Sequence, residues 1–470
     1  DLEKPVITYA GKENYTLDEI SSLKLSSLFS GFDEVDGVTS LTLNINSITT
    51  SGRHVIKART FDKSGNESSI DYPVYVDYSI KNASDLTNTI DLSNNASSHK
   101  LPSTGEIHVP VILVDLVGFN NRVEINDTYI NKIKEAFNGN NSVSSFYKIS
   151  SYNKLNLIFD IYEKPLEYNI TEKIMNNDAY YSFLQNIVKA SGNNNDFTIY
   201  DQNNDSYLDA AWIIYNVPYK SGGRLWAYVS DYETNIVVSP KALKMTNIGF
   251  ASYDFVNPYS SYNKNLGLTG DIIPNTYIHE TGHMLGLKDH YDTTKSLYKD
   301  KLNKTYGLDV MDFNKYDITA CEKIILNWLD PMIIENNQTI NISSVEEGSA
   351  IVLKLNFDND LYSKYLVVEF ISGTKNNNGL IRGIRVNLVN FVLDETTGTF
   401  KYENTGDGEV LIKTISNKNP YYLDNVNLYD SSNIFFAKGD EFVYNSEWSN
   451  HISFKVLDIT DTYANLRFKF

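Results

Sequence analysis

The sequence predicts a three-part chain: a β-sandwich, then a domain in which strands and helices alternate, then a β-rich domain. Three observations predict it. Period-two alternation of apolar and polar residues runs to about Tyr78. From Lys81 to Gly105 the chain turns polar and rich in Ser, Asn and Thr, a linker composition. After Pro331 the strand patterns return. At 470 residues and 41% hydrophobic, the chain is long enough for a large core and for more than one domain. The expected boundaries are residues 1–80, a linker at 81–105, a central domain at 106–330 and a C-terminal domain at 331–470.

In the first domain, Ser40–Asn46 and His54–Phe61 alternate strictly, and the turn Asp62-Lys63-Ser64-Gly65-Asn66 leads to a strand around Tyr72–Val76. The linker has at most a short ordered piece at Thr89–Leu92. The central domain opens with Val109-Pro110-Val111-Ile112-Leu113-Val114, the continuous apolar run of a buried strand. Helical periodicity follows at Tyr129–Phe137, with Asn126 or Asp127 as cap, and again at Val143–Ile149 and Tyr180–Ala190. Strands are expected at Leu155–Tyr162 and Ala210–Tyr215. This alternation is that of an α/β or α+β domain. In the last domain, strands are expected at Ala350–Leu355, Tyr365–Phe370, Ile381–Leu393 and Ala464–Phe470.

Composition excludes several functions. A net charge of −18 argues against a nucleic-acid surface and against polybasic lipid binding, both of which need clustered Lys and Arg. No apolar run approaches the roughly 18–20 residues that span a bilayer. The single Cys321 excludes an internal disulfide framework and a Cys-based zinc cluster, and its apolar surroundings predict a small buried core residue.

The chemistry concentrates in His279-Glu280-Thr281-Gly282-His283-Met284-Leu285-Gly286-Leu287-Lys288-Asp289-His290. On a helix, His279 and His283 project from one face, one turn apart, at the separation a tetrahedral zinc accepts. Glu280 lies where its carboxylate can reach a metal-bound water without being a ligand. Upstream, Pro274 suits a first helical turn. Gly286 is a natural helix stop that lets the chain bend back, and Asp289 then stands in the place of a third ligand. A Met-containing turn follows at Tyr306–Asp312.

The run from His279 to Thr293 resembles the immune inhibitor A (M6) secreted metallopeptidases, which are zincins of the metzincin type. The likeness extends to the opening strand Val109–Leu116, to Ser145–Leu155 and to Asp309-Val310-Met311. It continues through Cys321–Leu329, for a coverage of roughly residues 106–450. Asn153 and Asn327 stand where the family usually has Gly. The resemblance implies an α/β zincin domain with His279, His283 and Asp289 as ligands to one zinc, Glu280 as general base and Met311 as an apolar floor. Phe313 stands where some metzincins have a ligating Tyr. His290 and Tyr291 read equally as an exposed His and a packed Tyr, or as residues that hold substrate. The implied activity is hydrolysis of peptide bonds in protein substrates, host defence proteins among them, by a monomer.

Asp201, Asn203, Asp205 and Asp209 alternate like the first part of a calcium loop, though the usual sixth-place Gly and twelfth-place Glu are missing. An Asp/Asn turn ahead of a strand is the competing reading. The segment Gly52–Asn66 resembles the last hairpin of Ig-like modules on bacterial surface proteins. Two alternatives to a general protease remain: an immunoglobulin-cleaving peptidase of the IgA-peptidase kind, and a surface adhesin with a vestigial zincin domain. The start Asp1–Pro5 reads as processed. Export from a bacterium, free or attached to the cell surface, is the expected location.

Overall fold

The computed structural model describes residues 3–12, 14–49, 52–76, 90–91, 100–171, 179–221, 224–230, 234–238, 243–291, 305, 307–355, 364–390, 392–394, 399–401, 412–415, 434–444 and 452–470. The chain is a mixture of several β-sheets with an α/β portion, and it divides into two compact units. One is Asp1–Lys81; the other holds Asn82–Leu355 and Tyr362–Phe470.

In the first unit, strand Gly52–Phe61 pairs with Leu41–Leu43 on one side and Glu67–Val76 on the other, both antiparallel. The turn between its two long strands closes as the sequence predicts. The Asp62 carboxylate accepts from the Asn66 backbone N–H at 2.7 Å, and Gly65 takes the left-handed φ of +89° that a β-carbon disfavours. A second sheet joins Val6–Tyr9, Phe29–Asp33 and Gly37–Thr39. Residues of both sheets, among them Ile56, Ala58, Val74 and Phe29, share one core.

The larger unit is built on a five-stranded sheet in the order Leu155–Glu167, Gly105–Asp115, Ala211–Tyr215, Ile248–Ser252, Tyr228–Ser230. The first four strands run parallel and the last is antiparallel. The apolar run at Val109–Val114 is explained by burial on both faces. Val109, Val111 and Leu113 enter one core, with the helices Asp127–Asn138, Val143–Ser150 and Asn275–Met284, while Ile112 and Val114 enter another, under the helix Ala179–Asn194. Asn126 caps the first of these helices through its side chain, which accepts from the Tyr129 N–H.

The C-terminal part is a second sandwich. One sheet runs Met332–Ile333, Ile351–Lys354, Lys364–Ile371, Gly383–Asn390, Ile412–Thr414. The other runs Gln338–Ser343, Tyr463–Lys469, Ile452–Ile459, Glu441–Tyr444, and the two share a core of Val368, Phe370, Val386, Phe454 and Leu466. It belongs to the same compact unit as the central sheet. Tyr152 donates to the Val345 carbonyl at 2.6 Å and Asn376 to the Phe146 carbonyl at 3.1 Å, across the expected boundary at residue 331.

Most of the stretch read as linker lies outside the described residues; of its short ordered piece, Ile90–Asp91 is a strand paired with Thr399–Lys401. The end of that stretch belongs to the fold. Leu101 is buried, its N–H donates to the Met284 carbonyl at 3.1 Å, and the Trp328 indole donates to the Ser103 carbonyl at 2.6 Å. Met284 ends the helix that carries His279 and His283, so Leu101 satisfies a carbonyl that the helix itself cannot.

A shortened chain beginning at Lys100 loses the two-residue strand Ile90–Asp91 but keeps Leu101 and Ser103, and is therefore expected to fold and to keep whatever activity the full chain has. One beginning at Glu106 loses the Leu101 side chain and both hydrogen bonds, and urea unfolding is expected to show a stability lower by about 3 kcal/mol. Equal stability of the two shortened chains would contradict this reading.

Candidate metal centre

The helix Asn275–Met284 lies in the core for nearly its whole length, and Pro274 stands at its N-cap. Its C-terminal end is a complete Schellman motif. Gly286 has φ +94°, its N–H donates to the His283 carbonyl at 2.9 Å, and the Leu287 N–H donates to the Gly282 carbonyl at 3.0 Å. This sharp stop turns the chain back along the helix and delivers Asp289 to the two histidines.

Three side chains converge there. Asp289 Oδ1 lies 3.1 Å from His279 Nε2 and 3.3 Å from His283 Nε2. Both imidazoles are held by the other ring nitrogen. His279 Nδ1 donates to the Val310 carbonyl and His283 Nδ1 to the Leu287 carbonyl, each at 2.8 Å. The carbonyl acceptors place a proton on each Nδ1, so in the neutral ring the Nε2 lone pair is the one left for a metal, the arrangement that backbone acceptors impose on ligating histidines. Two imidazole nitrogens and one carboxylate, with ring orientation fixed, fit a tetrahedral divalent ion with one open position. His279, His283 and Asp289 could hold a metal ion.

Electrostatics tie the three together. Burial alone would raise the Asp289 carboxyl, but the facing His283 and His279 hold it well below the usual carboxylate range. Burial lowers the His283 imidazole, yet Asp289 outweighs it and pushes it up to about 9. Glu280, 6% exposed, is near enough to feel the charge of all three. Its carboxyl is raised by burial first, with the two histidines opposing and Asp289 reinforcing the rise.

The turn containing Met311 packs against the histidine helix. Asp309 caps the short helix Val310–Phe313 by accepting from the Met311 N–H at 2.6 Å. Met311 is buried against Gly282; a β-carbon on Gly282 would stand 2.5 Å from the Met311 sulfur and 3.2 Å from the Tyr147 hydroxyl. Tyr147, on the helix Val143–Ser150, donates to the Ile278 carbonyl at 2.6 Å. Phe313 offers no ligating atom.

His290 departs from both of its expected roles. It is neither exposed nor open to substrate: it is wholly buried, with Nδ1 3.1 Å from Asp309 Oδ2 and Nε2 3.1 Å from Glu322 Oε1. Burial disfavours a charged ring, but the two carboxylates prevail and hold His290 well above the ordinary histidine range. The two ring nitrogens face different carboxylates, so the group is a bridged ion triad, and its three residues also lie close enough to one another to hold a metal ion. Tyr291 is half-buried and stacks on the His279 ring, with centroids 6.3 Å apart. Asp309 was legible as part of the Met-containing turn and Glu322 as part of the Cys321–Leu329 likeness, but no local pattern joined either of them to His290.

The two Asn residues that replace Gly both adopt left-handed conformations, φ +63° at Asn153 and +62° at Asn327. Asn tolerates that region best after Gly, so the substitutions preserve the turns. Cys321 is buried beside the Tyr365 hydroxyl, as its apolar context predicts.

In the loop Asp201–Asp209 the side chains serve the loop's own backbone. Asp201 accepts from the Asp205 and Ser206 N–H groups, Asn203 from Asp205 and Asp205 from Tyr207. Asp209 accepts from the Gln202 N–H and its side-chain amide, and burial pushes its carboxyl up to about 7. Among the described residues, the convergent His and carboxylate groups lie elsewhere, at His279, His283 and Asp289 and at His290, Asp309 and Glu322.

Gly282→Ala is expected to displace the Met311 side chain and to lower stability by about 1–3 kcal/mol, read as a fall in melting temperature. A variant as stable as wild type would show that the contact between helix and turn is looser than drawn.

A scan against protein-family models finds no match to this chain, and a search of the curated proteins finds none.

Proposed function

We propose that the larger unit is a metal-dependent peptidase of the zincin type that hydrolyses peptide bonds in protein substrates. One observation carries the reading: His279 Nε2 and His283 Nε2 converge on Asp289 Oδ1, with the buried Glu280 carboxylate beside them. The likeness of the His279–Thr293 run and of the Met311 turn to immune inhibitor A peptidases supports it. That likeness also underlies a finer proposal, export from a bacterium, while the likeness of Gly52–Asn66 to Ig-like modules underlies an Ig-like character for the first unit.

In this reading His279, His283 and Asp289 hold one zinc, which supplies Lewis acidity to a water and to a peptide carbonyl when bound. Glu280 is not a ligand. Its carboxylate accepts the proton of the attacking water and returns it to the departing amine. Burial raises its carboxyl above the ordinary glutamate value, the direction that suits a group that must both take and give a proton. Val310 and Leu287, through their carbonyls, keep both imidazoles aimed at the metal. Met311 packs closely against Gly282, on the helix that carries both histidines.

Cleavage of casein or of an unstructured fluorogenic peptide tests the proposal. Activity is expected to vanish with a chelator and to return with zinc. Glu280→Gln is expected to keep its zinc and lose activity by about 10²–10⁴-fold. Zinc content measured beside the rates separates the outcomes: loss of metal in Glu280→Gln would make Glu280 a ligand, and undiminished cleavage would remove the mechanism.

A further inference from the structure

The buried ion network around His290 continues into the C-terminal sandwich. Arg385, on the strand Gly383–Asn390, and Glu369, on Lys364–Ile371, are directly paired across the sheet, and both are completely buried. Arg385 Nη2 meets Glu369 Oε2 at 2.8 Å. Glu369 Oε1 accepts from the Asn387 amide at 2.5 Å, and the Asn387 oxygen accepts from the Thr414 hydroxyl at 2.7 Å. The other end of the guanidinium leaves the sandwich: Nη1 donates to the Leu308 carbonyl at 2.9 Å. Arg385 Nε has no hydrogen-bond partner among the described residues.

Stability alone does not account for this pair. A buried ion pair is often no better than well-packed apolar residues of the same volume, because desolvation offsets the attraction. Where Arg385 points supplies a reason. Leu308 is followed by Asp309, which caps the Met311 turn and takes His290 Nδ1. Val310 holds His279 Nδ1, and the Met311 carbonyl accepts from the His290 N–H at 3.0 Å. His290 adjoins Asp289. The four residues 308–311 thus touch Arg385 on one side and both the first histidine and the Asp289 loop on the other.

We propose that Arg385 and Glu369 are positioning residues for the metal centre, fixing through Leu308 and Asp309 the segment that orients His279 and holds the Asp289 loop. The C-terminal sandwich is then part of the catalytic apparatus. The inference rests on the metallopeptidase reading above. Both act through the segment 308–311, whose Val310 carbonyl orients His279, and loss of such an orienting contact typically weakens metal binding by about 10–100-fold.

The test uses the full chain and the double variant Arg385→Met with Glu369→Gln, which removes both charges and leaves neither buried alone. Zinc affinity is measured by competition with a chromophoric chelator, melting temperature on the zinc-free protein, and kcat and KM on a fluorogenic peptide. The variant is expected to bind zinc about 10–100-fold more weakly and to lose kcat with KM little changed. Val386→Ala, which opens the apolar core beside Arg385 on the same strand, is the control. It is expected to lower the melting temperature with zinc affinity unchanged. If the double variant fails to fold, Arg385→Lys, which keeps the charge but not the fork, is expected to shift zinc affinity in the same direction by about three- to tenfold. Wild-type affinity in a folded Arg385 variant overturns the proposal, as does an equal loss of affinity in Val386→Ala. A wild-type chain that binds no zinc removes the metallopeptidase reading itself, and the positioning role with it.

Discussion

A charge can be buried only where opposite charge and hydrogen bonds meet it, and this constraint organises the centre of the larger unit. Asp309, Glu322 and Glu369 are carboxylates cut off from water, and each faces a cation: His290 between the first two, Arg385 against the third. None of these groups can move far without leaving a partner unpaired. The segment 308–311 lies between the two cations and inherits their rigidity. The same logic recurs at Lys323, fully buried and held by the Asp317 carboxylate at 2.6 Å and the Ser150 carbonyl at 2.9 Å. That lysine joins the end of the helix Val143–Ser150 to the helix Ala320–Ile325.

The geometry of the proposed metal centre follows from backbone events more than from the ligands. A left-handed glycine ends the helix, so Asp289 returns to the histidines. Two carbonyls, of Val310 and Leu287, select which ring nitrogen faces inward. A missing β-carbon at Gly282 lets Met311 lie against the helix. Each device fixes one degree of freedom, and together they leave the three ligand atoms little choice of position.

Much of this was legible in the sequence. The run Val109–Val114 announced a strand buried on both sides, and the His279–Asp289 spacing announced the helix, its stop and the returning carboxylate. Asn at 153 and 327, where the resembled family usually has Gly, was visible too, and the left-handed conformations show why Asn serves. What stayed hidden was long-range. His290 looked like a polar residue beside a site, because nothing local says that Asp309 and Glu322 will close on both edges of its ring. Arg385 sits in an ordinary strand pattern, where a buried arginine leaves no periodic trace. The edge of the fold was blurred for another reason: Leu101 and Ser103 lie in a polar stretch, and their partners Met284 and Trp328 are far along the chain.

Those distant partners bear on how the chain reaches its native state. The bond between Trp328 and Ser103 closes a separation of 225 residues, and that between Tyr152 and Val345 one of 193. Ordering a loop of such length costs entropy before any contact repays it, so folding dominated by these closures is slow. During synthesis the histidine helix emerges well before the strand of Arg385, and at about 5–20 residues per second that interval is a matter of seconds. Until that strand arrives, Arg385 does not hold the Leu308 carbonyl, and the segment that bears the His279 partner Val310 lacks that anchor. A nascent chain therefore carries the ligands long before it carries the finished site.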